Sequence, residues 1–200
     1  MGQPQLKNEK YTIEEWQKLE ESGETRYEFH YGEVFAMAGG TINHGRIGRN
    51  ALFELENHFR TQGKNCEALT SDIKIEIAKN LRYVYPDTLA VCGDVKESEK
   101  ITGAITNPVF VIEVLSESSE AYDNGAKFRY YKKLPSLKEY FLIDQHRSLA
   151  VLYRRNGTGD IFSRIDFEGM DSLIELESVA LKLPLSAFYR GVELEEEMVN

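Results

Sequence analysis

The chain has 200 residues, a formal net charge of −9, and 42% hydrophobic and 28% charged residues. That length suits one domain burying roughly 70% of the surface its unfolded chain exposes, and the composition is that of an ordinary globular protein. No apolar run approaches the ~18 residues of a membrane helix, and the acidic balance weighs against nucleic-acid binding by counterion release except through a local basic groove.

The polar start, Met1 to Lys10, lacks the apolar stretch of a signal peptide and reads as a frayed leader on a cytoplasmic protein. Thr12-Ile13-Glu14-Glu15 is a capping box, with Tyr11 and Trp16 placed as a hydrophobic staple, so a short helix is expected to about Leu19. Tyr27, Phe29 and Tyr31 alternate with Glu28 and His30, and Val34, Ala36 and Ala38 follow Gly32-Glu33. Period two around a glycine predicts a β-hairpin. Glu28 and His30 fall on the face opposite the aromatic one, where a solvated glutamate is the simplest expectation.

Thr41 or Asn43 can cap a second helix with the apolar stripe Ile47, Ala51, Leu52, Leu55 and Phe59, stopped by Gly63. Ile73, Ile75 and Ile77 alternate with polar residues, predicting a strand with one wet face on which Asp72 belongs. Tyr83 to Val91 reads as a strand or strand pair interrupted by Pro86, and Gly93 to Asn107 as a surface loop. Cys66 and Cys92 belong to no Cys-x-x-Cys pair, so two reduced core thiols are expected rather than a zinc site or a disulfide.

Val109 to Leu115 is apolar on both faces except at Glu113, the signature of a central strand. A helix is predicted from about Ala121 to Leu134, then strands at Tyr140 to Ile143, Leu149 to Arg154 and Ile161 to Ile165, and a short segment near Leu185 to Tyr189. One α/β domain over residues 11–190 with a mixed sheet is the reading, and residues 191–200 form an acidic tail.

Glu113 carries the chemistry. A carboxylate in a doubly buried strand is costly unless paired with a cation, a metal or donors. Asp87 follows Pro86, which lacks an N–H and favours a strand edge or bulge. Two carboxylates from neighbouring strands, with the main-chain carbonyl of Val114, would supply the hard oxygens that Mg2+ takes, and Mn2+ could substitute. Asp123, Lys127 and Tyr131 lie at i, i+4 and i+8 and share a helix face. Ser116 is expected to cap the following turn. Lys127, Arg129, Lys132, Lys133 and Lys138 cluster in one segment, which could contact phosphates or form a solvated face.

These residues together resemble the PD-(D/E)XK nuclease superfamily, in which an Asp and a Glu on adjacent strands bind the metal. More closely they resemble its branch of small restriction-endonuclease-like proteins, the Uma-two type. The carrying pieces are Tyr27-Glu28 to Gly32-Glu33, His44, Ser71-Asp72, Pro86-Asp87, Glu113-Val114-Leu115-Ser116, Asp123 with Lys127, Tyr130 and Tyr131, and Tyr140 to Asp144. The match spans Tyr11 to Tyr189. It implies a restriction-endonuclease-like α/β fold: a mixed central sheet flanked by helices, with an N-terminal helix and β-hairpin. It also raises Glu33 and His44 to supporting groups. The superfamily places Lys two residues after the Glu, where this chain has Leu115; some relatives carry that lysine on the next helix, making Lys127 the candidate.

The function implied is a Mg2+- or Mn2+-dependent endonuclease on nucleic acid, with DNA as the substrate to test first. Asp87 and Glu113 are then ligands, and Lys127 positions or deprotonates the attacking water or offsets transition-state charge. The alternative is a noncatalytic protein that keeps the nuclease fold, with Leu115 as the trace of lost chemistry and a homodimer built on the hairpin.

Overall fold

The computed structural model describes residues 10–23, 25–37 and 39–194. Most of the expected leader, and the tail beyond Leu194, lie outside the described residues.

The first helix, α1 (Ile13–Glu21), forms as its capping box requires: Thr12 and Glu15 exchange side-chain to backbone hydrogen bonds, and Trp16 is fully buried. It packs on a mixed sheet in the order β2 (Glu33–Ala36), β1 (Tyr27–His30), β5 (Arg82–Val84), β4 (Lys74–Ala78), β7 (Ala104–Ile105). A second mixed sheet runs β11 (Phe162–Glu168), β10 (Leu149–Arg155), β9 (Glu139–Asp144), β8 (Phe110–Leu115), β6 (Thr88–Cys92), β3 (Cys66–Thr70). Within it β8 and β9 are parallel and the other neighbours antiparallel.

Strand β8 has all six residues buried, because its two faces meet two different layers. Phe110, Ile112 and Val114 pack with Ile47, Ala51, Leu55 and Phe59 of α2 (Ile42–Gln62). Thr41 is the cap of that helix, and Gly63 ends it in the left-handed region. Val111 and Leu115 pack instead with Tyr131, Tyr140 and Leu142. Each fully buried side chain of this size contributes about 1.5–3 kcal/mol, so both faces of β8 are strongly held.

The expected helix after β8 is shorter and irregular. It consists of α3 (Glu120–Tyr122), a π turn (Asp123–Lys127) and α4 (Phe128–Tyr131). The predicted strand or strand pair 83–91 is two strands, β5 and β6, in different sheets. Tyr85-Pro86-Asp87 is the crossing between them. The loop 93–107 contains β7. The hairpin β12 (Leu173–Leu176) and β13 (Leu181–Pro184) was not anticipated, although Ile174, Leu176, Leu181 and Leu183 carry its period-two burial.

The cysteine expectation is overturned. Cys66 and Cys92 form a disulfide, since the β3–β6 register sets them directly opposite with a Cα–Cα distance of 4.0 Å. Their separation of 26 residues hides this neighbourhood from a linear reading. No helix among the described residues is long and apolar enough to cross a membrane.

The central position of β8 makes a direct prediction. Amide exchange at Val111 to Val114 should require global unfolding and fall in the slowest class. Rapid exchange there, measured by NMR or mass spectrometry, would mean that β8 is an edge.

Candidate functional site

Asp87 and Glu113 stand on neighbouring strands, Asp87 at the entry to β6 and Glu113 within β8. The register Ala90↔Phe110, Thr88↔Ile112 runs out at Pro86, which has no N–H for the next facing carbonyl. There Asp87 takes over: its Oδ2 accepts from the Val114 backbone N–H at 2.7 Å. Within a strand a residue's N–H and C=O point to the same neighbour, so the Val114 carbonyl is directed to the Asp87 side. Asp87 Oδ1 lies 2.8 Å from Nε2 of His44. That histidine is in the first turn of α2, its backbone N–H bonded to the cap Thr41.

Glu113 points to the opposite face, where the helical segment covers it. Lys127 Nζ lies 2.8 Å from Glu113 Oε1, and Tyr131 donates to the same oxygen at 2.9 Å. Lys127 also donates to the Tyr85 carbonyl at 3.0 Å, and stands 3.5 Å from Glu28 Oε1 and 3.8 Å from Asp123 Oδ1. The spacing of Asp123, Lys127 and Tyr131 thus does place them on one face.

Glu28 is the residue the sequence reading missed. It is fully buried, not solvated. Its Oε2 accepts from Tyr122 at 2.9 Å and its Oε1 from the Tyr85 N–H at 3.3 Å. His30 accepts at Nδ1 from Arg82 Nε at 3.0 Å, so its proton sits on Nε2, which faces Glu28 Oε2 at 3.2 Å. The hairpin's "wet" face is covered by the helical segment, which period two alone could not reveal. The available signal was the paired glutamates of the hairpin motif, of which the first is the buried one.

Glu33 is exposed on β2 and does not join the cluster; it lines a neighbouring surface cavity with His30 and Tyr31. Asp72 is exposed and paired with Arg26, as its wet face predicts. Ser116 caps the Ser119 N–H. The basic segment divides: Lys127 is buried, whereas Lys133 is exposed and paired with Asp160.

Electrostatics follow from burial. Removal from water pushes the Glu113 carboxyl well above the usual range, Asp123 and Asp87 add to this, and Lys127 opposes it. Burial would lower the Lys127 ammonium, but Glu113, Glu28 and Asp123 hold it well above its ordinary value. Glu28 is raised by burial yet lowered more by Lys127, His30 and Tyr122, and ends below the carboxylate norm. Burial would lower the His44 imidazole, and Asp87 holds it above its usual value.

A mixed sheet with Pro-Asp entering one strand, a buried Glu on the next and a lysine from the following helix set against it is the arrangement expected of a restriction-endonuclease-like protein. The chain belongs to the Uma2 family, described as "Putative restriction endonuclease", which matches residues 13–186. It is 36% identical over 183 residues to the uncharacterized protein slr1290 of Synechocystis sp. PCC 6803, covering 92% of this chain and 93% of that one. It is 35% identical over 148 residues to sll1609 of the same organism, also uncharacterized, covering 73% and 81%. The fold resembles the crystal structure of "a putative nuclease belonging to DUF820" from Anabaena variabilis, with TM-score 0.73, 18% identity, and coverage of 92% of this chain and 99% of that one.

Asp123 offers a test of the cluster. Burial raises its carboxyl from 3.8 to about 6. Between those values the folded protein holds a proton that the unfolded chain has released, so stability falls as pH rises through that window. The Asp123 contribution is on the order of 3 kcal/mol, and the lowered Glu28 acts in the opposite sense. Urea unfolding should therefore show Asp123→Asn gaining on the wild type from pH 4 to about 7. A constant difference across that range would take Asp123 out of the buried cluster.

Proposed function

We propose that the chain is a metal-dependent phosphodiester hydrolase acting on nucleic acid, with DNA as the first substrate to test, and that Asp87 and Glu113 hold its Mg2+ or Mn2+ ion. The observation that carries this reading is the Lys127 ammonium 2.8 Å from Glu113, on the strand whose next N–H orients Asp87. A helix lysine set against Glu113 supports Lys127 in the role that Leu115 cannot fill, and so favours an enzyme over a relic.

The donor set fits a hard divalent cation. Glu28, Glu113 and Asp123 surround Lys127, and Asp87, at the entry to the neighbouring strand, pairs with His44. Among the described residues there is no preformed group of three or more acidic, histidine or cysteine ligands. Mg2+ is usually held by one or two carboxylates, with water and substrate phosphate making up its shell. Asp87, Glu113 and the Val114 carbonyl would hold it. A bound ion would polarise the phosphoryl oxygen and lower the pKa of a water.

The chain's own groups divide the remaining work. Lys127, kept protonated by the carboxylates around it, serves as a positive charge beside the scissile phosphate rather than as a base. Glu28 and the Tyr85 carbonyl fix its position. His44 holds the Asp87 carboxylate from the more open side, where their side chains are 25% and 18% exposed against 4% for Lys127 and Glu113.

Calorimetry with Mg2+ or Mn2+ should show binding by the wild type and none by Asp87→Asn or Glu113→Gln. Lys127→Ala should retain most of the metal affinity while plasmid or single-strand cleavage falls by roughly 100-fold. Lys133→Ala, remote from the cluster, should leave turnover near that of the wild type. Equal metal affinity in wild type and both carboxylate variants would show that the ligands are wrong.

A further inference from the structure

Beside the carboxylate cluster lies a surface cavity of about 230 Å3 that the hydrolysis itself does not use. It shares two walls with the cluster, His30 and Tyr122, both bonded to Glu28. Its remaining lining combines aromatic rings with charges of both signs, a mixture suited to a planar polar ligand.

Two features of the lining are unexplained by folding. The first is Tyr31. The hairpin turn has positive φ at Tyr31 (53°) and Gly32 (93°), the type I′ pattern in which Asn or Gly is favoured at both central positions. A bulky side chain is disfavoured there, yet the Tyr31 ring stands 47% exposed at the cavity. Strain of this kind points to a role outside the turn. The second is Arg82. Its guanidinium lies 3.4 Å from the Tyr130 ring centroid and 4.8 Å from that of Tyr31, and its Nε donates to His30. Its two terminal amino groups make no hydrogen bond among the described residues, leaving a pre-oriented fork beside exposed aromatic surface.

Gly32 completes the arrangement. Tyr11 donates to the Gly32 carbonyl at 2.7 Å, and a Cβ on Gly32 would stand 3.0 Å from Lys10 Cβ. This close approach sets Lys10 at the cavity beside the exposed carboxylate of Glu33.

We propose that this cavity receives an unstacked nucleobase from a single-stranded stretch of nucleic acid. The base stacks on Tyr31 and Phe35, its polar edge meets the free amino groups of Arg82 and the Glu33 carboxylate, and Lys10 meets the adjoining phosphate. Every base offers a π face for stacking, and arginine and carboxylate side chains pair with acceptors and amino groups of base edges. A duplex keeps its bases stacked and cannot fill the cavity without extruding one. The inference rests on the nuclease reading for its substrate class and supplies the preference that reading lacks.

The test is binding, measured with EDTA present so that neither metal nor cleavage contributes. The probe is a short fluorescein-labelled DNA strand, free or in a blunt duplex, followed by fluorescence anisotropy. The wild type should prefer the single strand. Tyr31→Asn relieves the left-handed position, so its Tm should be no lower than that of the wild type, while its single-strand affinity falls about ten-fold and its duplex affinity is unchanged. Phe35→Leu, as a second variant, should show the same selective loss. Equal binding of both forms by the wild type, no binding of either, or single-strand affinity indifferent to both variants would overturn the cavity assignment. Cleavage by a wild type that binds both forms equally would do so while leaving the metal reading intact. Single-strand binding that depends on Tyr31 in a protein that never cleaves would support the cavity and count only against the metal reading.

Discussion

The burial of one ammonium group organises this molecule. Taking a lysine out of water costs several kcal/mol unless its charge and all its donors are matched. Lys127 is matched by Glu113 from β8, Glu28 from β1, Asp123 from its own helical segment and the Tyr85 carbonyl from the crossing between sheets. Each of those groups would itself be costly to bury alone. The two sheets and the helical segment thus meet at a charge network in which each member offsets the burial of another.

That network also accounts for two local departures from regular structure. The π turn at Asp123–Lys127 sits where the helical segment brings Asp123 and Lys127 beside Glu113 and Glu28. The chain leaves one sheet for the other at Tyr85-Pro86-Asp87, and there Asp87 accepts from the Val114 N–H. Tyr85 then serves both sides of the crossing, its N–H bonded to Glu28 and its carbonyl to Lys127. The flanking β8–β9 ladder is regular over all six pairs.

Leu115 acquires a physical explanation from the same geometry. Its side chain is buried with Tyr131, Tyr140 and Leu142 in the core beneath the helical segment. A lysine there would need its own partners, whereas one arriving from the helix reaches Glu113 along with Tyr131 from a single element. With the cation supplied from the helix, the strand is free to be apolar at Leu115.

What the sequence by itself determined was whatever depends on near neighbours in the chain. The capping box, the Gly63 stop, the doubly apolar β8 and the shared face of Asp123, Lys127 and Tyr131 are all set by residues a few positions apart, and all were legible. Asp87 and Glu113 were legible as candidates because a proline before one and a buried strand around the other are local signals. Tertiary structure decided what local pattern cannot encode. Period two separates the faces of a hairpin but does not say which face a later helix will cover, so Glu28 read as solvated and is buried. The same limit applies to Glu33, which stands apart from the cluster, and to Cys66 and Cys92, which only the pairing of β3 with β6 sets side by side. A side chain's periodicity is a property of its own strand or helix, whereas its burial and its partners are properties of what packs against that element, and these are settled only when the whole chain has folded.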